Sequence, residues 1–378
     1  MKRTIIAAVL LGACSCSAFA QSSVTLYGII DAGIDYVNNS GGHSVVQAVS
    51  GVNQGSRWGL RGAEDIGGGT KVIFQLENGF NVFNGKLGQG GLEFGRQAWV
   101  GITNTNYGTV TAGRMYDPLV DVIQQTTLNG SAGSFFSHPS DFDNTDNGFR
   151  INNAVKYVTP RWGGFAAEGM YAFGGVAGHF GENSAVSAGA TYLYGPLYVG
   201  AAYFFAKNPA TQFPDGNFQA SSPTAPNTSA TGIMGFVGAP ANMQTIAVGG
   251  TFTFLGSSQV GANFTNTRFE DANGIGGNLA RFNNYEVWAK YFVTPAFMLG
   301  GGYTFTDGSV NNGGAKPRYS QVNAIVDYFL SKRTDVYVMG VYQHASGGAL
   351  AAIYQGAAGN QSTTNVQVVG RVGIRHKF

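Results

Sequence analysis

Asn365-Val366-Gln367-Val368-Val369-Gly370-Arg371-Val372-Gly373-Ile374-Arg375-His376-Lys377-Phe378 is the stretch whose spacing decides the fold. Val366, Val368, Gly370, Val372, Ile374, His376 and Phe378 fall on one face of an extended chain. Asn365, Gln367, Val369, Arg371, Gly373, Arg375 and Lys377 fall on the other. A side-chain period of two is the mark of a β-strand with unlike surroundings on its two sides. The beginning of the chain alternates in the same way. Val24, Leu26, Gly28, Ile30, Ala32, Ile34 and Tyr36 oppose Thr25, Asp31 and Asp35. Residues 244–254, 259–265, 284–292 and 321–328 repeat the pattern, and the alternating segments together number sixteen.

Composition removes the rival classes. The 378 residues include 58 Gly, 27 Phe and 18 Tyr, while charged residues reach only 11%, less than half the usual share. So aromatic and weakly charged a chain is not disordered. Beyond the first twenty residues no run approaches the ~20 apolar residues that a spanning helix needs. An all-β protein remains.

Whether its strands form a sandwich or a barrel is decided by what bounds them. Connections at 66–69, 104–107, 194–195, 255–257 and 330–333 are very short. Those at 81–93, 116–149, 207–242, 271–281 and 343–365 are long and polar. Short turns at one end and long loops at the other are the pattern of a transmembrane antiparallel barrel, with the short turns periplasmic. Aromatics gather beside the short turns: Tyr107, Trp162, Phe165, Tyr194, Tyr291, Phe292, Tyr328, Phe329 and Phe378. That placement suits an interfacial girdle. In lipid every backbone polar group must be paired internally, so such a sheet has to close on itself. Sixteen strands enclose an aqueous channel rather than a filled core.

The beginning of the chain reads as a secretory signal peptide over residues 1–20. Lys2 and Arg3 precede an apolar run, and Ala18-Phe19-Ala20 offers the cleavage site. Leu11-Gly12-Ala13-Cys14 looks like a lipoprotein site, but Gly before Ala suits it poorly. A single barrel domain, 21–378, is expected after the leader. Cys14 and Cys16 both lie in the leader, so disulfide and thiol chemistry are not expected. Twenty basic and twenty acidic residues then remain, which gives no basic surface for nucleic acid.

Several motifs resemble the general diffusion porins of β-proteobacteria. They are Ser23-Val24-Thr25-Leu26-Tyr27-Gly28, Ser56-Arg57-Trp58-Gly59-Leu60-Arg61-Gly62, Glu64-Asp65-Ile66-Gly67-Gly68-Gly69, Phe94-Gly95-Arg96 and Gly113-Arg114. Asp146-Asn147-Gly148-Phe149-Arg150-Ile151-Asn152-Asn153 and the ending Val372–Phe378 complete the set, in order and over the whole mature chain. The resemblance implies a homotrimer in outer-membrane lipid, each barrel with its own pore, passing small hydrophilic solutes without a cofactor. It also implies that the third outer loop, 116–149, folds inward to narrow the channel. The second outer loop, 81–93, would latch onto a neighbour, and Phe378 would be read by the barrel-assembly machinery.

Charge placement locates the candidate site. Trp58 and Leu60 must face lipid, which turns Arg57 and Arg61 into the lumen. By the same rule Ile151, Val155 and Tyr157 face out, while Arg150, Asn152 and Lys156 face in. An arginine on the lipid face at the midplane would cost ~2–4 kcal/mol. The resemblance adds Arg96 and Arg114 to the basic side, although strict alternation sets them beside Val100 and Val110 on the outward face. Asp117, Asp121, Asp141, Asp143 and Asp146 on the inward loop would face this ladder across the constriction. They would either complete a transverse field or simply hold the loop in place. An excess of fixed positive charge predicts modest anion selectivity. No metal site is expected, and nothing supports an enzyme: His43, His138, His179, His344 and His376 are scattered, without a catalytic motif. A different reading is a barrel with a restricted lumen serving as an adhesin or surface receptor through 207–242 and 343–365.

Overall fold

The computed structural model describes residues 22–213, 218, 232–354 and 360–378. The leader, its cleavage site and Gln21 lie outside them. Strands run in chain order as β1 (Ser23–Ser40), β2 (His43–Ser50), β3 (Arg57–Gly67), β4 (Thr70–Gly79), β5 (Gln97–Asn104) and β6 (Gly108–Met115). Then come β7 (Ile151–Val158), β8 (Phe165–Ala172), β9 (Ala185–Tyr194), β10 (Leu197–Lys207), β11 (Asn242–Phe254) and β12 (Ser258–Glu270). The last are β13 (Ala280–Thr294), β14 (Phe297–Val310), β15 (Arg318–Phe329), β16 (Thr334–Ser346) and β17 (Val366–Lys377).

Each strand pairs antiparallel with the next, and β17 returns to β1 from Ile29↔Lys377 to Val37↔Val369, closing the barrel. The seventeen segments make sixteen wall positions, because β2 and β3 share one side of β1. β2 covers its outer half, from Ala32↔Ser50 to Ser40↔His43; β3 covers its inner half, from Ile29↔Arg57 to Ser23↔Ala63. Residues 51–56 leave the ladder between them and turn into the lumen, which burial of Val52, Asn53 and Ser56 makes plain. The closing rung is locked at the short-turn end. The Gly28 and Phe378 N–H groups each donate to the other's carbonyl at 3.0 Å. A Cβ on Gly28 would sit 2.2 Å from the Phe378 ring, so only glycine admits that ring.

The alternation read from β17 holds: Val372 and Ile374 are exposed outward, Arg371 and Arg375 buried inward. Strict alternation fails at three positions, at two of them because the ladder is broken. Ile151 is fully buried and faces in, because Asn153 adopts a left-handed φ of 52° and adds a residue to β7. Arg114 turns inward because Gly113 (φ 141°) shifts the β6–β7 register between Gly113 and Met115. Arg96 lies just before β5, so the strand's alternation does not bind it. Phe292 and Phe329 are a fourth correction: they stack inside, ring centroids 5.9 Å apart, while Tyr291 and Tyr328 stay exposed at the girdle.

The wall is uneven. β4 to β8 are 8 to 10 residues long, near the ~9–11 that span a membrane. β10 to β17 run to 11–15 residues and rise above the bilayer on the long-loop side. The added height carries apolar side chains that point inward: Phe204, Met243, Phe269 and Phe282 are buried. They meet Phe149 of loop 116–150 and Phe213, Ile233, Met234 and Val237 of loop 208–241 in one cluster. Phe149 stacks on Phe213 at 4.4 Å. Full burial of each such side chain is worth ~1.5–3 kcal/mol, enough to hold two loops inside the barrel. The lumen is thereby filled on this side and open on the other.

Candidate functional site

Loop 116–150 folds inward, and its first turn is capped by its own sequence. Asp117 is the N-cap of α1 (Pro118–Ile123), accepting from the Leu119 N–H at 2.8 Å, with Pro118 at the first helical position. α1 buries Leu119, Val122 and Ile123 against the wall. Its seat is a trough of glycines. A Cβ on Gly189 or Gly200 would come within 2.7 Å or 2.6 Å of Val122, and one on Gly249 within 2.2 Å of Thr126. Wall side chains then bind the loop backbone. Tyr198 Oη donates to the Val122 carbonyl at 2.7 Å, and Trp288 Nε1 donates to that of Thr126 at 2.7 Å.

A buried ion cluster clamps the loop's middle. His138 Nδ1 lies 2.6 Å from Asp143 Oδ2, and Nε2 lies 3.3 Å from Glu286 Oε2 on β13. Glu286 also accepts from the Leu128 N–H at 3.0 Å, and Asp143 from Thr265 Oγ1 at 2.5 Å. Burial opposes a charged imidazole, but Asp143 and then Glu286 outweigh it and raise His138 to about 10. At neutral pH the clamp is an imidazolium between two carboxylates.

Between this loop, the 51–56 excursion and the wall lies a cavity of about 490 Å³. Arg57, Arg96, Arg150, Glu77 and Asp146 supply its charged lining, with Tyr116 and Tyr354. Three guanidiniums thus face two carboxylates. Arg96 Nε donates to Glu77 Oε1 at 2.8 Å and Arg96 Nη2 to Tyr116 Oη at 2.8 Å. Arg57 stands 3.9 Å from Glu77, and the Arg150 guanidinium lies 5.8 Å from the centre of the Tyr116 ring. Burial lifts Asp146 to about 6, against the pull of its hydrogen bonds from Ser134 and Asn129 and of Arg150 and Arg96.

The other expected site residues lie elsewhere. Arg61 is two inward steps nearer the short turns than Arg57, its guanidinium 5.2 Å from the Tyr27 ring centre. Arg114 donates to the Gly95 carbonyl at 2.8 Å and to Asn152 Oδ1 at 2.5 Å. Lys156 ion-pairs with Asp121 and donates to the Tyr116 carbonyl at 3.0 Å. Asp141 accepts from the Asp146 and Gly148 N–H groups at 2.8 and 2.7 Å. Of the five loop aspartates, only Asp146 lines the cavity. Asp117 caps α1, Asp121 holds Lys156, Asp141 braces its own turn and Asp143 grips His138.

Two cavity residues escape the sequence reading. Glu77 follows Lys71 and Gln75 at even spacing on β4, so alternation alone could have assigned it to the lumen. Tyr354 could not be found that way. It comes from the last outer loop, whose Ala351, Ala352 and Ile353 are buried inside the barrel. The Ala352 and Ile353 N–H groups donate to Gln343 and Gln367, each at 2.7 Å. Tyr354 meets Phe135 edge-on at 6.5 Å.

Known proteins match this architecture end to end. The chain is 30% identical over 416 residues to an outer membrane porin protein of Bordetella pertussis, with each covered completely. It is also 30% identical over 391 residues to outer membrane porin protein 32 of Delftia acidovorans, again with both fully covered. An anion-selective porin from Comamonas acidovorans superposes with a TM-score of 0.74 at 26% identity, covering 95% of this chain and 100% of that one. The trimer form of an outer membrane protein of Vibrio cholerae shares the fold at a TM-score of 0.69 and 18% identity, over 94% and 99% of the two chains. The first three of these are named as porins. The Gram-negative porin family pattern matches residues 7–348, and the chain belongs to that family of outer-membrane barrels.

Proposed function

We propose that this barrel is a passive channel for small hydrophilic solutes and ions, with a modest preference for anions. The observation that carries this reading is the charge of the narrow cavity, where Arg57, Arg96 and Arg150 outnumber Glu77 and Asp146. A water-filled passage through low-dielectric walls focuses the field of the excess guanidinium. The anion-selective neighbour at 26% identity supports the same sign. Reversal potential across a KCl gradient tests it. The native channel should favour chloride, less so as salt rises and the Debye length falls from ~30 Å at 0.01 M to ~3 Å at 1 M. Arg57→Ser combined with Arg150→Ser should lower the chloride-to-potassium ratio. Native cation preference, or an unchanged ratio in the double variant, would overturn the proposal.

The working unit is a homotrimer. Its support is an apolar groove on the outer wall, where Phe83 of loop 80–96 stands beside Ile34, Val336 and Val372. Unboiled protein should migrate in SDS as a trimer, and cross-links confined to monomers would remove that inference. The leader is cut after Ala20, which mass spectrometry of the mature N-terminus checks directly. Phe378 serves as the assembly signal. Of the two loops the adhesin reading needs, Phe213, Ile233, Met234 and Ala351 pack inward, while Leu350 and Thr363 stay exposed.

A further inference from the structure

On their outward-facing side, β12 and β13 carry an arrangement that barrel closure does not need. Toward the long-loop end, Phe264 stands opposite Tyr285, ring centroids 5.0 Å apart. Asn266 follows opposite Asn283, Nδ2 donating to Oδ1 at 2.6 Å. The next rung sets Arg268 directly opposite Arg281, both exposed. Side chains at directly opposed positions have Cβ atoms ~4.5–5.5 Å apart, and like charges there repel.

The surroundings offset this repulsion only in part. The rung continues to Gln244 on β11 and Ser309 on β14, both neutral. Asp307 is taken by Arg318 at 2.7 Å, and Glu270 accepts from Asn242 Nδ2 at 2.7 Å. Neither Arg268 nor Arg281 forms an ion pair among the described residues. An anion held between the two guanidiniums would turn the repulsion into a bidentate site.

Height and neighbours indicate which anion. The arginine rung lies four residues beyond the Phe264–Tyr285 pair, ~13 Å along the strand and ~10 Å along the normal at the usual barrel tilt. That is within reach of the headgroup layer for a long side chain that snorkels. Beneath it Tyr285 and Phe305, ring centroids 6.5 Å apart, offer an apolar surface. We propose that Arg268 and Arg281 bind the phosphate-bearing headgroup of an outer-leaflet lipid, whose acyl chains lie on the Phe264–Tyr285–Phe305 face. The site rests on the outer-membrane location alone and is independent of the selectivity proposed above.

Native mass spectrometry of the full protein in detergent provides the test. Bis-phosphorylated lipid A and its dephosphorylated form are titrated separately. The phosphorylated lipid should bind at least ~10-fold more tightly, and Arg268→Gln with Arg281→Gln should abolish that discrimination. Arg333→Gln, which removes one exposed charge at the short-turn end, should preserve it. Equal affinity for both lipids, or unchanged discrimination in the double variant, would overturn the site. So would inorganic phosphate that displaces the lipid at millimolar concentration, since a soluble-anion site would then be indicated. A second readout guards against misfolding. Relief of the Arg268–Arg281 repulsion should leave the lipid-free double variant at least as heat-stable as the native barrel. A clearly lower unfolding temperature would show that the pair serves the fold and not a lipid.

Discussion

Arg371 and Arg57 both project into the lumen from strands that alternate alike, yet they end in opposite surroundings. Arg371 and Arg375 on β17 stand among Asp31, Asp35, Asp327 and Asp335, two guanidiniums within four carboxylates. Arg371 reaches Asp35 at 2.6 Å and Asp31 at 3.0 Å, and all three side chains are 0% exposed. Its Nε donates to Tyr337 Oη at 2.9 Å, while that hydroxyl donates to Asp31 at 2.9 Å. Arg57, Arg96 and Arg150 instead line a cavity whose carboxylates are Glu77 and Asp146. The β1–β17 seam is over-compensated and closely packed; the constriction is under-compensated and lines a cavity. Inward arginines therefore do two kinds of work, and the number and burial of carboxylates around them decide which.

The largest effect should come from the seam. Arg371→Met leaves Asp31 and Asp35 buried without a counter-charge, at ~3–5 kcal/mol. The temperature at which the compact SDS band gives way to unfolded chain should drop sharply. Arg57→Ser should move it less, because Arg57 stands 3.9 Å from Glu77, and that carboxylate keeps Arg96 at 2.8 Å as its partner. Equal losses in the two variants would erase the contrast.

A third charged cluster lies between these extremes. His138 is clamped by Asp143 and Glu286, and removing it as His138→Ala should cost the loop ~3 kcal/mol. Folding raises this imidazole from ~6.5 to about 10, so its contribution is complete below ~6.5. It fades as pH climbs through about 10. Current flicker and protease cutting within 116–150 should rise over that alkaline range in the native protein. In the variant they should be high already at neutral pH.

The constriction is also sensitive to acid. Asp146 titrates near 6, so below that pH the cavity loses one of its two negative groups. The chloride-to-potassium ratio should increase roughly two- to threefold between pH 7.5 and pH 5, both approximate bounds of the window. Asp146→Asn should hold the high ratio at every pH. A flat native profile would mean that Asp146 does not face the ion path.

The smallest effect concerns the last outer loop. Tyr354→Gly removes a ring from the cavity without changing its charge. Single-channel conductance should rise by roughly 20–50% with the ion ratio unchanged. No change would leave loop 116–150 as the sole constriction.

How far the sequence carries can be argued from individual residues. Arg57 was legible because Trp58 and Leu60 flank it on an unbroken strand. Ile151 was misread because Asn153 inserts a residue, which puts Ile151, the first residue of β7, on the opposite face from the one strict alternation gives it. The acidic loop was legible as a cluster but not by role. Asp117 and Asp143 differ only in which donors folding brings to them, Leu119 N–H in one case and His138 in the other.

The sequence by itself determined the closed barrel, its sixteen wall positions and which end carries the long loops. These follow from local rules: a period of two, turn length, and the need to pair every backbone group in lipid. Tertiary structure alone decided which side of the lumen stays open, which arginines line the cavity, and that Glu77 and Tyr354 join them. Those outcomes depend on partners tens to hundreds of residues apart, such as Arg371 with Asp31 or Phe149 with Phe213. Alternation states which way a side chain points; only the closed barrel states what it meets there.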